Sequence, residues 1–235
     1  MQWLASLVFT AFLFLSTALY ALLVVATCSL PYRARYAIVR SWARLQLGAL
    51  RVLCGLDYVV EGREHIPPGN HVSMWRHSST WETIAQIVVF PPQAWVLKRE
   101  ILWIPIVGWG TRCMRPIAID RNAGISAVNQ VVQQGQERLA AGMWVLVFPE
   151  GTRVAPGQSR KYGISGALLA AASGRCIVPV AHDAGRYWRR RGLLKRRGTV
   201  RVVIGPPIQS AGREPRVIIE EVRSWIEARV AELGG

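Results

Sequence analysis

From Trp3 to Leu30 the chain carries no charged residue, no glycine and no proline. As a helix this run is roughly 40 Å long at ~1.5 Å per residue, against a hydrocarbon core of about 30 Å. Such a helix belongs in lipid, crossing with tilt or lying partly in the interface. A removed signal peptide is the competing explanation. It calls for a basic residue ahead of the run and a small-residue cleavage site. No Arg or Lys precedes Trp3, and Val25-Ala26-Thr27-Cys28 sets an ill-suited Thr27 before the cysteine. The run is therefore read as a retained anchor.

Arg33, Arg35, Arg40 and Arg44 follow at once, and no acid occurs before Asp57. By the positive-inside rule that flank is cytoplasmic. The formal net charge of the chain is +15. Strongly basic chains partner nucleic acid or anionic membrane. With an apolar N-terminus and 51% hydrophobic residues, the expectation is anionic membrane lipid, not nucleic acid. The location expected is the inner membrane, with the rest of the chain on its cytoplasmic side. Cys28, Cys54, Cys113 and Cys176 are scattered without metal-like pairing and read as buried thiols in a reducing compartment.

The chain of 235 residues suffices for one α/β domain and an anchor. We expect residues 1–56 to anchor and 57–235 to form the domain. Residues 32–53 suit an amphipathic helix, either on the bilayer or packed on the domain. Beyond Asp57 strands and helices alternate. Strands are expected at 58–60, 71–75, 94–97, 117–119, 144–148, 177–180 and 200–204. Helices are expected at 79–90, 125–141, 166–172 and 215–233, the last with Ile218, Val222, Trp225, Ile226 and Val230 at helical spacing. The pattern predicts an α/β fold: a mixed β-sheet flanked by helices, preceded by a hydrophobic and an amphipathic helix.

Chemistry-bearing residues fall in short segments. His77 and Glu82 would point about 140° apart on one continuous helix, so they meet only if the chain bends between them. Ser78 and Ser79 suit a helix start there. A carboxylate on one imidazole nitrogen fixes the tautomer and frees the other nitrogen as a base. Alternatively, Glu82 merely ties off the helix start as a capping box with Ser79. A metal held by His71, His77 and Glu82 matches no ligand spacing, so no metal is expected. Phe148-Pro149-Glu150-Gly151-Thr152-Arg153 follows a buried strand, where α/β sheets place ligand groups. Arg153 offers a fork for phosphate, Glu150 an acceptor for hydroxyls, and Gly151 a close backbone approach. A turn with a surface salt bridge fits that segment equally. Lys98 suits a point-charge contact to phosphate, and the apolar residues from Leu102 to Trp109 either flank an acyl chain or, for most of those side chains, read as core. The basic run Arg186–Arg197 reads as a loop dipping Trp188, Leu193 and Leu194 into lipid. Serine-hydrolase, P-loop and dinucleotide fingerprints are absent from the sequence.

In order and spelling these segments resemble those of the bacterial 1-acyl-glycerol-3-phosphate acyltransferases of the glycerolipid acyltransferase superfamily, over roughly residues 57–210 by motif position. The family's first motif pairs a His with an Asp; here the acid is Glu82. The resemblance implies that His77 deprotonates the sn-2 hydroxyl of lysophosphatidic acid. The alkoxide then attacks the thioester of acyl-ACP or acyl-CoA, with no acyl-enzyme and no cofactor. It implies that Lys98 and Arg153 hold the glycerol phosphate, with Glu150, Gly151 and Thr152 in the same acceptor loop. Pro179, in Val178-Pro179-Val180, matches a motif linked to acyl-donor binding or site shape. His182 lies outside the pattern and reads as structural. Two rival readings remain: an acyltransferase for another lyso-lipid, such as a lyso-aminolipid, and a non-catalytic basic membrane protein.

Overall fold

The computed structural model describes residues 1–234. Strands β1 (Leu56–Glu61), β2 (Val72–Trp75), β3 (Gln93–Lys98), β4 (Ile117–Ile119), β5 (Trp144–Val147), β6 (Ile177–His182) and β7 (Gly198–Ile204) build one sheet. Their order is β1-β7-β6-β2-β5-β3-β4. Only the β6–β7 pair is antiparallel among these neighbours. The sheet is mixed, as expected. The carboxyl ends of β6, β2, β5, β3 and β4 therefore share one edge, and the loops leaving them converge.

Helices α1 (Gln2–Ala26), α2 (Tyr32–Ala49), α3 (Trp81–Val89), α4 (Val107–Cys113), α5 (Ile125–Ala140), α6 (Ser165–Ser173), α7 (Ala184–Tyr187) and α8 (Pro215–Glu232) cover it. Residues of β2, β5 and β6 are buried on both faces, which is why these strands are largely apolar, Ser73 and His182 excepted, rather than alternating. One core joins the sheet to α1, α2 and α3 through Phe9, Tyr36, Leu47 and Ile84. The other joins it to α5, α6 and α8 through Leu139, Leu169, Ile218 and Val222. Burying each such side chain contributes about 1.5–3 kcal/mol. Gly142 and Gly174, at φ +76° and +63°, end α5 and α6 in the left-handed conformation. The sequence reading missed α4, α7 and a 3-10 turn at Arg99–Trp103. All are too short to show a period.

α1 is apolar enough, and at 25 residues long enough, to cross a membrane. Its polar side chains turn inward. Gln2 Nε2 donates to the carbonyls of Cys54 (2.9 Å) and Lys195 (2.6 Å), and Ser16 Oγ accepts from Gln46 Nε2 at 2.8 Å. Leu4, Leu7, Phe14, Leu15, Leu19 and Leu22 face outward, exposed. α4 lies so close that a Cβ on Gly110 would sit 2.9 Å from Ala21 Cα.

Three expectations are corrected here. First, Cys28 and Cys113 are joined as a disulfide, Cα atoms 5.5 Å apart, because the fold brings the end of α1 to the end of α4. Only Cys54 and Cys176 are buried thiols. Second, Trp188 does not enter lipid. It is buried against Phe9, ring centroids 5.7 Å apart. Beside it Lys195 is 1% exposed, its Nζ 4.7 Å from the Trp188 ring, 5.3 Å from the Phe9 ring, and bonded to Ser6 O and Thr10 Oγ1. The basic loop clasps α1. Third, the residues from Leu102 to Trp109 do not form core. Trp103, Ile104 and Trp109 are exposed and Leu102, Ile106 and Val107 only half-buried, since this segment lies at the rim of the cavity beside α1.

Candidate active site

At the carboxyl end of β2 the chain leaves the sheet through Arg76, whose N–H bonds Val180 O at 2.9 Å. It then bends, and Ser79 Oγ accepts the N–H of Trp81 (3.1 Å) to open α3. The bend returns Glu82 to His77. Glu82 Oε1 accepts from His77 Nδ1 at 2.8 Å, from Ser78 N–H at 3.0 Å and from Ser79 N–H at 2.8 Å. The paired acid and the tie at the helix start are thus one carboxylate doing both.

Glu82 is fully buried. Burial pushes its carboxyl up, but the hydrogen bond from His77, the nearby His182 and His77 rings and the Ser79 N–H more than offset this and hold it below the usual range. An ionised acceptor on Nδ1 places the neutral imidazole's proton there and leaves the Nε2 lone pair available. The His77 ring stacks on Phe148, centroids 4.0 Å apart at 18°. Its Nε2 has no partner among the described residues, and the side chain lines a cavity. His182, behind the pair, is buried. Its Nε2 meets Arg76 O at 2.8 Å and its Nδ1 accepts the Ala184 N–H at 3.3 Å. Burial holds its pKa below the ordinary value. With both nitrogens engaged, it serves the scaffold.

β5 lies beside β2, so the segment after β5 meets His77. Val154 N–H donates to His77 O at 2.7 Å, and His77 N–H to Glu150 Oε1 at 3.2 Å. Gly151 takes φ +67° in this turn, and Thr152 is half-buried beside it. Arg153 lines the cavity with its Nε buried and unpartnered. Arg121, two residues past β4, lines it too, anchored by Nη1 to Gly151 O at 2.6 Å. Arg153 is half-buried, and desolvation lowers its pKa, while Arg121 is exposed at the cavity rim. Neither makes an ion pair among the described residues. The partly desolvated Arg153 cation, without counter-charge, is costly, and an anionic ligand removes that cost.

The cavity has a volume of about 410 Å³, and much of its lining is apolar. α1 supplies Tyr20, Ala21 and Val24, α2 supplies Val39 and Trp42, and Trp95 and Leu97 come from β3. An imidazole, two guanidiniums and an apolar chamber thus share one space.

A model of the family described as Acyltransferase matches residues 57–183, a span that holds every side chain just described except those of α1 and α2. The 1-acyl-sn-glycerol-3-phosphate acyltransferase of Pseudomonas aeruginosa is 43% identical over 208 residues, 87% of this chain and 81% of the relative. The chain belongs to the acyltransferase family.

Further members of the family agree. The Escherichia coli 1-acyl-sn-glycerol-3-phosphate acyltransferase is 32% identical over 70% of this chain and 69% of its own. The alpha form from Bos taurus is 28% identical over 83% of this chain and 68% of its own. In structure, the 1-acyl-sn-glycerophosphate (LPA) acyltransferase PlsC from Thermotoga maritima matches with TM-score 0.82, over 99% of this chain and 95% of that one, at 21% identity. The fold, its N-terminal helices included, is shared with that acyltransferase.

Not every residue expected at the site comes to it. Lys98 ends β3 half-exposed, paired with Glu100 at 3.2 Å, and does not line the cavity. Glu150 is buried behind His77 and does not face the cavity. Pro179 sits inside β6 opposite Met74, its carbonyl accepting the Gly205 N–H at 2.9 Å, also away from the lining. His71 bonds to Cys176 and Pro68 at the far end of β2, so His71, His77 and Glu82 do not gather around a metal. Arg121 was missed. Its signal was present: Ile117-Ala118-Ile119 reads as a strand, and a cation just past its carboxyl end satisfies the rule that singled out Arg153.

Proposed function

We propose that this acyltransferase moves an acyl group from a thioester donor to the sn-2 hydroxyl of 1-acyl-glycerol-3-phosphate, giving phosphatidic acid. The carrying observation is that His77, bonded to Glu82 at 2.8 Å, lines the same cavity as Arg121 and Arg153. His77 Nε2 takes the hydroxyl proton, and the oxygen attacks the thioester carbonyl carbon. Glu82 stabilises the imidazolium as it forms. The tetrahedral intermediate collapses, the C–S bond breaks, and the thiolate sulfur receives the proton from Nε2. Base assistance of this kind is typically worth about 10²–10⁴-fold. Arg153 and Arg121 hold the phosphate, and the apolar chamber takes an acyl chain. The donor is a carrier-protein or coenzyme A thioester. Residues 1–56 hold the enzyme on anionic lipid, on the cytoplasmic side of the inner membrane, as the flanking arginines suggest.

The test is purified full-length protein with each radiolabelled donor and a panel of lyso-lipids. Labelled product is expected from acceptors bearing a phosphomonoester. Equal transfer to lyso-aminolipids would move the assignment to that second acceptor class, and no transfer at all would overturn it.

A further inference from the structure

Arg76 has no part in the chemistry above, yet it is 1% exposed. A buried guanidinium needs full pairing, and its partners form a line toward the base. Nη1 meets Glu227 Oε1 of α8 at 2.7 Å and Glu150 Oε1 at 3.5 Å, and Nη2 donates to Gln158 O at 2.5 Å. Tyr162 OH donates to the same Glu227 oxygen at 3.0 Å. Beyond Arg76, the Glu150 oxygen it faces is the one that accepts the His77 N–H. The second Glu150 oxygen is buried without a partner, so that carboxylate depends on Arg76 for its counter-charge.

We propose that Arg76 is a positioning residue: backed by Glu227 and Tyr162, it holds the Glu150 carboxylate under the His77 backbone N–H and so aims the base. The inference rests on His77 being the base. The groups facing Glu150 are Arg76 from the end of β2, Glu227 from α8, Tyr162 from the loop before α6 and the backbone N–H of His77. Burial pushes the Glu150 carboxyl up to about 7, its own N–H, Arg76 and the His77 N–H draw it down, and Glu227 raises it. Ionised Glu150 is the stronger acceptor, so turnover weakens as pH falls through that range. Glu227 repels Glu150 and Arg76 attracts it, so removing each moves this acid limb in opposite directions.

Arg76→Gln, Arg76→Lys and Glu227→Gln in the full chain, assayed beside His77→Ala across pH 5.5–9, test it. In Arg76→Gln, kcat is expected to fall at least about tenfold, as a misaimed base does. KM for both substrates stays within twofold, and the acid limb shifts upward. Arg76→Lys recovers part of kcat. Glu227→Gln shifts the limb downward. If Arg76→Gln fails to fold, Glu227→Gln, whose side chain is 25% exposed, decides alone. An unmoved limb there overturns the proposal, as does a folded Arg76→Gln with wild-type kcat or a loss confined to KM. If His77→Ala itself retains turnover, the base assignment fails first.

Discussion

Glu82 shows how one side chain satisfies a structural and a chemical demand together. Its Oε1 closes the N-terminal turn of α3 and holds His77 Nδ1, so any change that loosens the helix start also frees the imidazole. His77→Ala should lower turnover at least about a hundredfold while vesicle binding and thermal midpoint stay put; unchanged turnover would remove the base. Arg153→Ala should raise the KM for lysophosphatidate at least about tenfold, the scale of a hydrogen bond to a charged group. A rise confined to the acyl donor's KM would reassign that guanidinium. The types and order of these residues were legible in the sequence, because a His, an acid and an Arg near strand ends carry their chemistry in their names. Their contacts were not. Lys98 and Arg121 both follow strands, and only the arrangement of β3 and β4 shows that Arg121 lines the cavity while Lys98 pairs with Glu100.

At the scale of elements, α1 is the instructive case. Its sequence pattern is apolar almost throughout, so the buried face could not be read from periodicity. Sparse polar residues decide it: Gln2, Ser6, Thr10 and Ser16 meet protein partners, while leucines face outward. Lys195 fastens that helix at the cost of desolvating an ammonium, and burial lowers its pKa from 10.5 to about 8. A lysine whose folded pKa is depressed contributes stability above its unfolded pKa, and loses it as pH falls through the folded value. Between about pH 10.5 and 8 the wild type should therefore lose thermal midpoint relative to Lys195→Met, which has no such proton to bind. Parallel midpoints for the two proteins across that window would mean the ammonium is not desolvated as described.

Across the whole molecule, the membrane-compatible helix and the chamber proposed as the active site are one assembly, since α1 and α2 wall the cavity that His77 lines. Deleting residues 1–30 should do two things at once: release the protein from anionic vesicles at ~1 M salt, where charge attraction is screened beyond about 3 Å, and abolish transfer even where the truncated chain still folds. Continued sedimentation with vesicles at high salt would assign the hold to the remaining basic surface, and retained transfer would show that α1 is no essential wall. Local pattern determined the apolar run, the alternation of strands and helices and the candidate site residues, because burial periodicity and side-chain chemistry are properties of neighbours in the chain. Tertiary structure alone decided that Cys28 meets Cys113, that Trp188 and Lys195 clasp α1, that Arg121 joins Arg153, and that Glu227 stands behind Arg76 from 151 residues away. Those meetings depend on strand order in the sheet, a sum of long-range packing choices that no short window of sequence contains.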